Sequence, residues 1–209
     1  MAIALGSVNT TGDTSGSYTS IAVSGANTIG YIFAIGDTSD NLTGITWGGS
    51  AMTKVASGRP GTDRYIGLWY IINPSSSSTI TLTGGTYKEA YEFYYTGAKQ
   101  SAQPDSYTDN SSSLNAALTL TTTVVATGCW TVMISKDDGT GNVNYTTNVG
   151  VVRIGPNGGG LCMSDSNGTV GTGNQATTHT LNSGTPNHYG VVVSIAPSGS
   201  AFIPKVMFI

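Results

Sequence analysis

Short runs of branched and aromatic residues recur along the whole chain, and clusters of Gly, Asn, Asp, Ser and Pro separate them. Read by period, the segments 20–23, 28–35, 44–47, 51–55, 65–72, 79–83, 87–95, 117–125, 129–135, 148–154, 161–164, 176–181, 190–195 and 202–208 predict β-strands. In Ile80-Thr-Leu82 and Leu118-Thr-Leu120 hydroxyls alternate with aliphatics, the pattern of a sheet with one buried and one wet face. The runs 31–35 and 190–195 are almost continuously apolar, as expected of central strands covered on both sides. Gly48-Gly49 lies between two extended runs and predicts a tight hairpin with a primed turn. No 11-residue window keeps apolar residues at three- and four-residue spacing without β-branched or Gly interruptions, so helices are not expected. The polar stretches 105–114 and 137–145 read as long, mobile surface loops. These elements predict an all-β fold, a two-sheet antiparallel β-sandwich of jelly-roll-like type, with a barrel as the second choice. Length suits a single domain over 1–209, with an N-terminal arm over about 1–18 and a C-terminal strand at 201–209. A loose echo between 20–37 and 122–138 reads as architecture and not as duplication.

Composition narrows the function classes. Ser, Thr and Gly fill 84 of 209 positions, whereas only 19 residues carry a formal charge, so hydroxyls and backbone solvate this surface. The net charge of -3 with recurrent apolar runs argues against disorder. Nucleic-acid binding needs a basic stripe, and no two Lys or Arg residues stand closer than five positions apart. No run approaches the roughly 20 apolar residues of a membrane helix. Met1-Ala-Ile-Ala-Leu-Gly has neither a basic start nor a long apolar stretch, so synthesis in a cytoplasm without a secretory signal is expected.

Candidate chemistry is sparse. His179 and His188 have no carboxylate beside them in sequence, so a hydrolase triad would depend on spatial assembly. Glu89 and Glu92 stand an odd number of positions apart on a strand and face opposite sides, which disfavours a glycosidase pair; Glu89 is expected to face solvent. Cys129 and Cys162 read as small buried hydrophobes, a disulfide being the minority reading, and two cysteines do not make a metal site. Asp165-Ser-Asn-Gly168 and Asp137-Asp-Gly-Thr-Gly-Asn142 carry calcium-type oxygens, but ordinary Asx-turn bonding explains them better. No catalytic residue, metal site or cofactor is therefore expected. Trp69, Tyr87 and Tyr91 are the candidate ligand-binding aromatics, weighed against core packing. The apolar end of the chain is the candidate interface, through Phe202, Ile203, Val206, Phe208 and Ile209. From 166 to 204 there is no Asp, Glu, Lys or Arg, so covering that stretch would cost little charge desolvation.

Four segments add a resemblance: 42–55 (LTGITWGGSAMTKV), 67–74 (GLWYIINP), 94–105 (YYTGAKQSAQPD) and 191–197 (VVVSIAP). Together they resemble a β-sandwich domain found in structural proteins of tailed bacteriophages and in bacterial surface proteins. The resemblance implies a module for display or adhesion and, without an export signal, a virion component such as a capsid decoration protein. Expected partners are further copies of the chain, as a trimer, and the major capsid protein or another virion protein, with no nucleic acid and no membrane. A carbohydrate-binding or adhesive module of a phage tail or cell surface is the alternative, and a hydrolase comes third.

Overall fold

The computed structural model describes residues 1–199 apart from 11, 13, 40, 41, 63, 139–144 and 156–159. Among these residues there is no helix, and seventeen strands follow in chain order. The first nine are β1 (Ala4–Val8), β2 (Ser17–Thr19), β3 (Ile29–Ile35), β4 (Gly44–Trp47), β5 (Ser50–Ala51), β6 (Thr53–Gly58), β7 (Ile66–Ile72), β8 (Thr79–Thr83) and β9 (Glu89–Thr96). The remaining eight are β10 (Ser106–Ser112), β11 (Ala117–Val124), β12 (Trp130–Asp137), β13 (Tyr145–Thr147), β14 (Val151–Ile154), β15 (Leu161–Asp165), β16 (Gly173–Leu181) and β17 (His188–Ile195). The all-β, antiparallel expectation holds, but the strands lie in four sheets and not two. A first inner sheet has the order β1-β9-β3-β7-β6 and a second inner sheet β10-β17-β12-β15-β14. A first outer sheet runs β2-β8-β4-β5 and a second outer sheet β11-β16-β13.

The two halves of the chain repeat one strand order. Replacing β1, β9, β3, β7 and β6 by β10, β17, β12, β15 and β14 converts the first inner sheet into the second, and β2, β8 and β4 correspond likewise to β11, β16 and β13. In each half the chain passes back and forth between an inner and an outer sheet, and β5 is the one strand of the first half without a counterpart among the described residues.

The alternation of side chains, with a sheet on either face, explains why the central strands β3, β12 and β17 are buried throughout. On β3, Tyr31 and Phe33 join the cluster shared with the second inner sheet, while Ile32 and Ala34 join the cluster under the first outer sheet. Every residue of β3 and β17 is buried, as their unbroken apolar runs predict. The inner sheets meet through Tyr31, Phe33, Phe93 and Tyr95 on one side and Trp130, Val132, Ile134 and Val193 on the other. Tyr95 and Trp130 pack edge to face across this seam at 5.9 Å between ring centroids, a contact worth about 1 kcal/mol beyond its buried area. A polar tie reinforces the seam: the Tyr95 hydroxyl donates to Asp165 Oδ2 at 3.0 Å, and Arg153 grips both carboxylate oxygens of Asp165 at 3.0 Å each.

Local expectations fare unevenly. The hairpin at Gly48-Gly49 is present, with φ of 58° and 79° at the two glycines and Trp47 paired with Ser50. Within the expected N-terminal arm of about 1–18, Ala4–Val8 forms an edge strand on β9. Nor is 105–114 a long loop: Ser106–Ser112 pairs along its full length with β17. Its ladder rests on the apolar neighbour, so its own polar side chains give no sign of it. Conversely, 20–23 is not a strand, because Glu92 Oε1 takes the Ile21 amide at 2.6 Å and Ser76 Oγ takes the Val23 amide at 3.0 Å. The expected C-terminal strand at 201–209, with Phe202, Ile203, Val206, Phe208 and Ile209, lies outside the described residues.

Candidate functional site

Alternation points Ser135 of β12 and Ser164 of β15 away from the seam, towards the second outer sheet, where β16 brings in His179. Ser135 Oγ lies 2.6 Å from His179 Nδ1 and Ser164 Oγ 2.7 Å from His179 Nε2. Cys162 Sγ approaches the same Nε2 at 3.8 Å. Three strands from two sheets thus converge on one imidazole, and Ser135 and His179 are 0% exposed. A serine hydroxyl at this distance from an imidazole nitrogen has the geometry of a nucleophile and its base. The surroundings differ from those of a hydrolytic site. Each nitrogen already holds a serine, and the carboxylate nearest along β12, Asp137, accepts from the Tyr145 hydroxyl and not from the imidazole. Burial, with His188 as a lesser cause, pushes the His179 pKa down to about 3, far from a value useful for a general base at neutral pH. The chemistry available to this arrangement is that of a neutral, doubly bonded clip between sheets. His188 is also buried and sits apart, with Nε2 2.7 Å from the Asn115 carbonyl.

The two glutamates do face opposite ways. Glu92 is fully buried under the first outer sheet on the Ile21 amide. Glu89 lies on the other face and, contrary to the expectation of a solvent-facing side chain, is held by the Tyr87 and Tyr91 hydroxyls at 2.5 Å each. Burial and the Glu89 carboxylate push the Tyr87 pKa up to about 12 and move that of Tyr91 in the same direction. The Arg64 guanidinium stacks 3.4 Å from the Tyr87 ring centroid. Tyr87 and Tyr91 therefore share a face, as alternation predicts, but as the walls of a carboxylate clamp. Trp69 is buried between the first inner and outer sheets with Lys54 Nζ 5.2 Å from its ring centroid. With Trp69 and Tyr91 covered, the three candidate aromatics do not form an open stacking platform.

Cys129 and Cys162 are free and buried. Asp165 Oδ1 accepts the Asn167 amide at 3.0 Å, an Asx-turn bond, while the same carboxylate binds Arg153. Among the described residues no group of three metal-ligating side chains occurs, and no helix is long and apolar enough to cross a membrane.

The outward faces of the outer sheets complete the surface. On the second, Thr119, Thr121 and Thr123 of β11 oppose Thr178, Ala176 and Asn174 of β16. On the first, Ser17 and Thr19 oppose Thr81 and Thr79, and Thr46 lies beyond Thr81. None of these residues is charged. The alternating hydroxyls of β8 and β11 announce both faces in the sequence, whereas the partners of His179 and the Arg153–Asp165–Tyr95 tie depend on contacts between distant strands. Ser135 and Ser164, polar residues set inside apolar runs, are the available sequence signal for the first of these.

No protein-family model, curated protein or solved structure matches this chain.

Proposed function

We propose that this protein is a non-catalytic structural subunit of a virion, of the capsid-decoration kind, whose two halves are jelly-roll-like units and whose work is done by surface contact. The observation that carries this reading is the pair of uncharged, hydroxyl-bearing outer faces on opposite sides of a four-sheet stack. Covering such faces removes no ion from water, so a neighbouring protein can be recognised by shape and hydrogen bonds at low desolvation cost. The buried environment of His179 supports the same reading, because its groups serve to join sheets. The four segments that resemble the phage and surface-protein sandwich fall on β4 to β6, on β7, on the end of β9 with its linker, and on the end of β17, which are the hairpin and inner strands of the fold. Self-association, as a trimer, would also cover the edge strands of so weakly charged a protein.

Native mass spectrometry, joined to imaging of phage heads mixed with the purified protein, tests the proposal. The expected result is a homo-oligomer that occupies symmetric positions on the shell. Thr121→Lys and Thr79→Lys, which place a charge on exposed outward positions, are expected to leave the fold intact and to weaken occupancy at least tenfold, since an unpaired charge would enter the contact. A monomer that ignores the shell and instead binds a surface polysaccharide on a glycan array would overturn the proposal in favour of a carbohydrate-binding module.

A further inference from the structure

The two halves share a strand order but attach their outer sheets by different chemistry. Under the first outer sheet lies one continuous apolar cluster, built from Ile32, Ala34, Trp69, Trp47, Ile80 and their neighbours. Under the second, the apolar contacts break into three small clusters: Leu118, Leu120, Met133 and Val192; Val124, Ala126, Cys129 and Ala196; and Tyr145, Cys162 and Leu181. The Ser135–His179–Ser164 bridge stands among them. A buried polar group contributes less to adhesion than the apolar group it replaces and tolerates no net charge without a counterion.

We infer that the second outer sheet is an acid-releasable layer: in mildly acidic solution β11, β16 and β13 separate from the second inner sheet at the His179 bridge while the rest of the fold stays closed. The ionisable groups on the elements packed against His179 are few, and apart from the approach of Cys162 Sγ none of them bonds to the imidazole. From β12 come Ser135 and, next in the chain, Lys136, whose Nζ donates to the Asp137 carbonyl, and Asp137, engaged by Tyr145. From β15 come Cys162 and Ser164. Tyr145 of β13 stands 6.1 Å away ring to ring. β11 carries no ionisable side chain. His188 of β17 acts on His179 through charge and disfavours its protonation, as a lesser cause beside burial. The bonds on the imidazole come from hydroxyls, which cannot neutralise an imidazolium.

The sign follows from the direction of the shift. The folded protein holds His179 down at about 3, against 6.5 for an unperturbed imidazole. Its contribution is therefore complete above the unperturbed value and drains away as pH falls from there towards 3.

Hydrogen exchange read by mass spectrometry at pH 7 and pH 4, corrected for intrinsic rates, tests the inference on the whole chain. The expected result is that protection in β11, β13 and β16 falls by about a hundredfold at pH 4, the factor set by protons bound only in the released state. In His179→Gln, whose amide can donate to one serine and accept from the other, that acid effect should disappear. If His179→Gln fails to fold, the double variant Ser135→Ala/His179→Ile, which supplies the residue types of the first half, should fold and be equally indifferent to acid. Equal protection of all four sheets at pH 4 in the unaltered protein would overturn the inference, and so would acid release that persists in both variants or that follows His188→Gln instead.

Discussion

Tyr31 shows how one atom can sit uneasily in a well-packed core. Its ring stacks on Phe93 at 5.3 Å between centroids, yet its hydroxyl is buried without a hydrogen-bond partner among the described residues. Burial raises its pKa far above the ordinary tyrosine value, so the group stays neutral. Leaving a hydroxyl unsatisfied costs about 1–3 kcal/mol. Tyr31→Phe should accordingly hold stability constant or raise it by about 1 kcal/mol, read as the urea midpoint. A drop of similar size would show that the hydroxyl is bonded after all. Residue-scale chemistry was only partly legible in the sequence. The opposite orientation of Glu89 and Glu92 follows from counting along a strand. That Glu89 would be clamped by Tyr87 and Tyr91, or that His179 would sit between two serines, depends on which strands become neighbours, and periodicity is silent on that.

Elements were legible where their own side chains carried the signal. β3, β4, β8, β11 and β17 are bounded by turn residues and either alternate or run apolar, and the structure places them within a residue or two of expectation. β10 and β1 were missed for a shared reason. Each is an edge strand whose ladder is supplied by the interior strand beside it, and β1 carries Gly6 because the Tyr94 ring lies where a Cβ would go, with its nearest carbon at 2.0 Å. The connection between β13 and β14 makes a sharper demand. Gly150 has a φ of 70°, and a Cβ there would come within 1.8 Å of the Asp165 carbonyl oxygen. Backbone cannot retreat as a flexible side chain can, so Gly150→Ala should cost about 3 kcal/mol or more. The check is a denaturant titration, and an unchanged midpoint would disprove the close approach.

At the scale of the molecule, the repeat of strand order was the least legible feature, visible in the sequence only as the faint echo between 20–37 and 122–138. The reason is physical: the halves fill corresponding layers with different residues, aromatic and aliphatic in the first, smaller and more polar in the second, so topology persists where composition does not. The seam between them is fixed by aromatic packing and by the Arg153–Asp165–Tyr95 tie, in which a buried Asp165 carboxylate is held by a partly exposed Arg153.

One contact at the edge of the stack has a topological consequence. The Met1 amine donates to the Ser198 carbonyl at 2.9 Å, and the Ser198 amide in turn donates to the Gly97 carbonyl at 2.7 Å, so the first residue, the passage from one half to the other and the end of β17 all meet at one pole. A circular permutant that keeps 200–209 within the linker joining the old ends and opens at the exposed Ser101-Ala102 would run second half first and should fold to the same stack. Its far-ultraviolet circular dichroism and melting temperature should match those of the natural order, for the seam is indifferent to which half the ribosome delivers first.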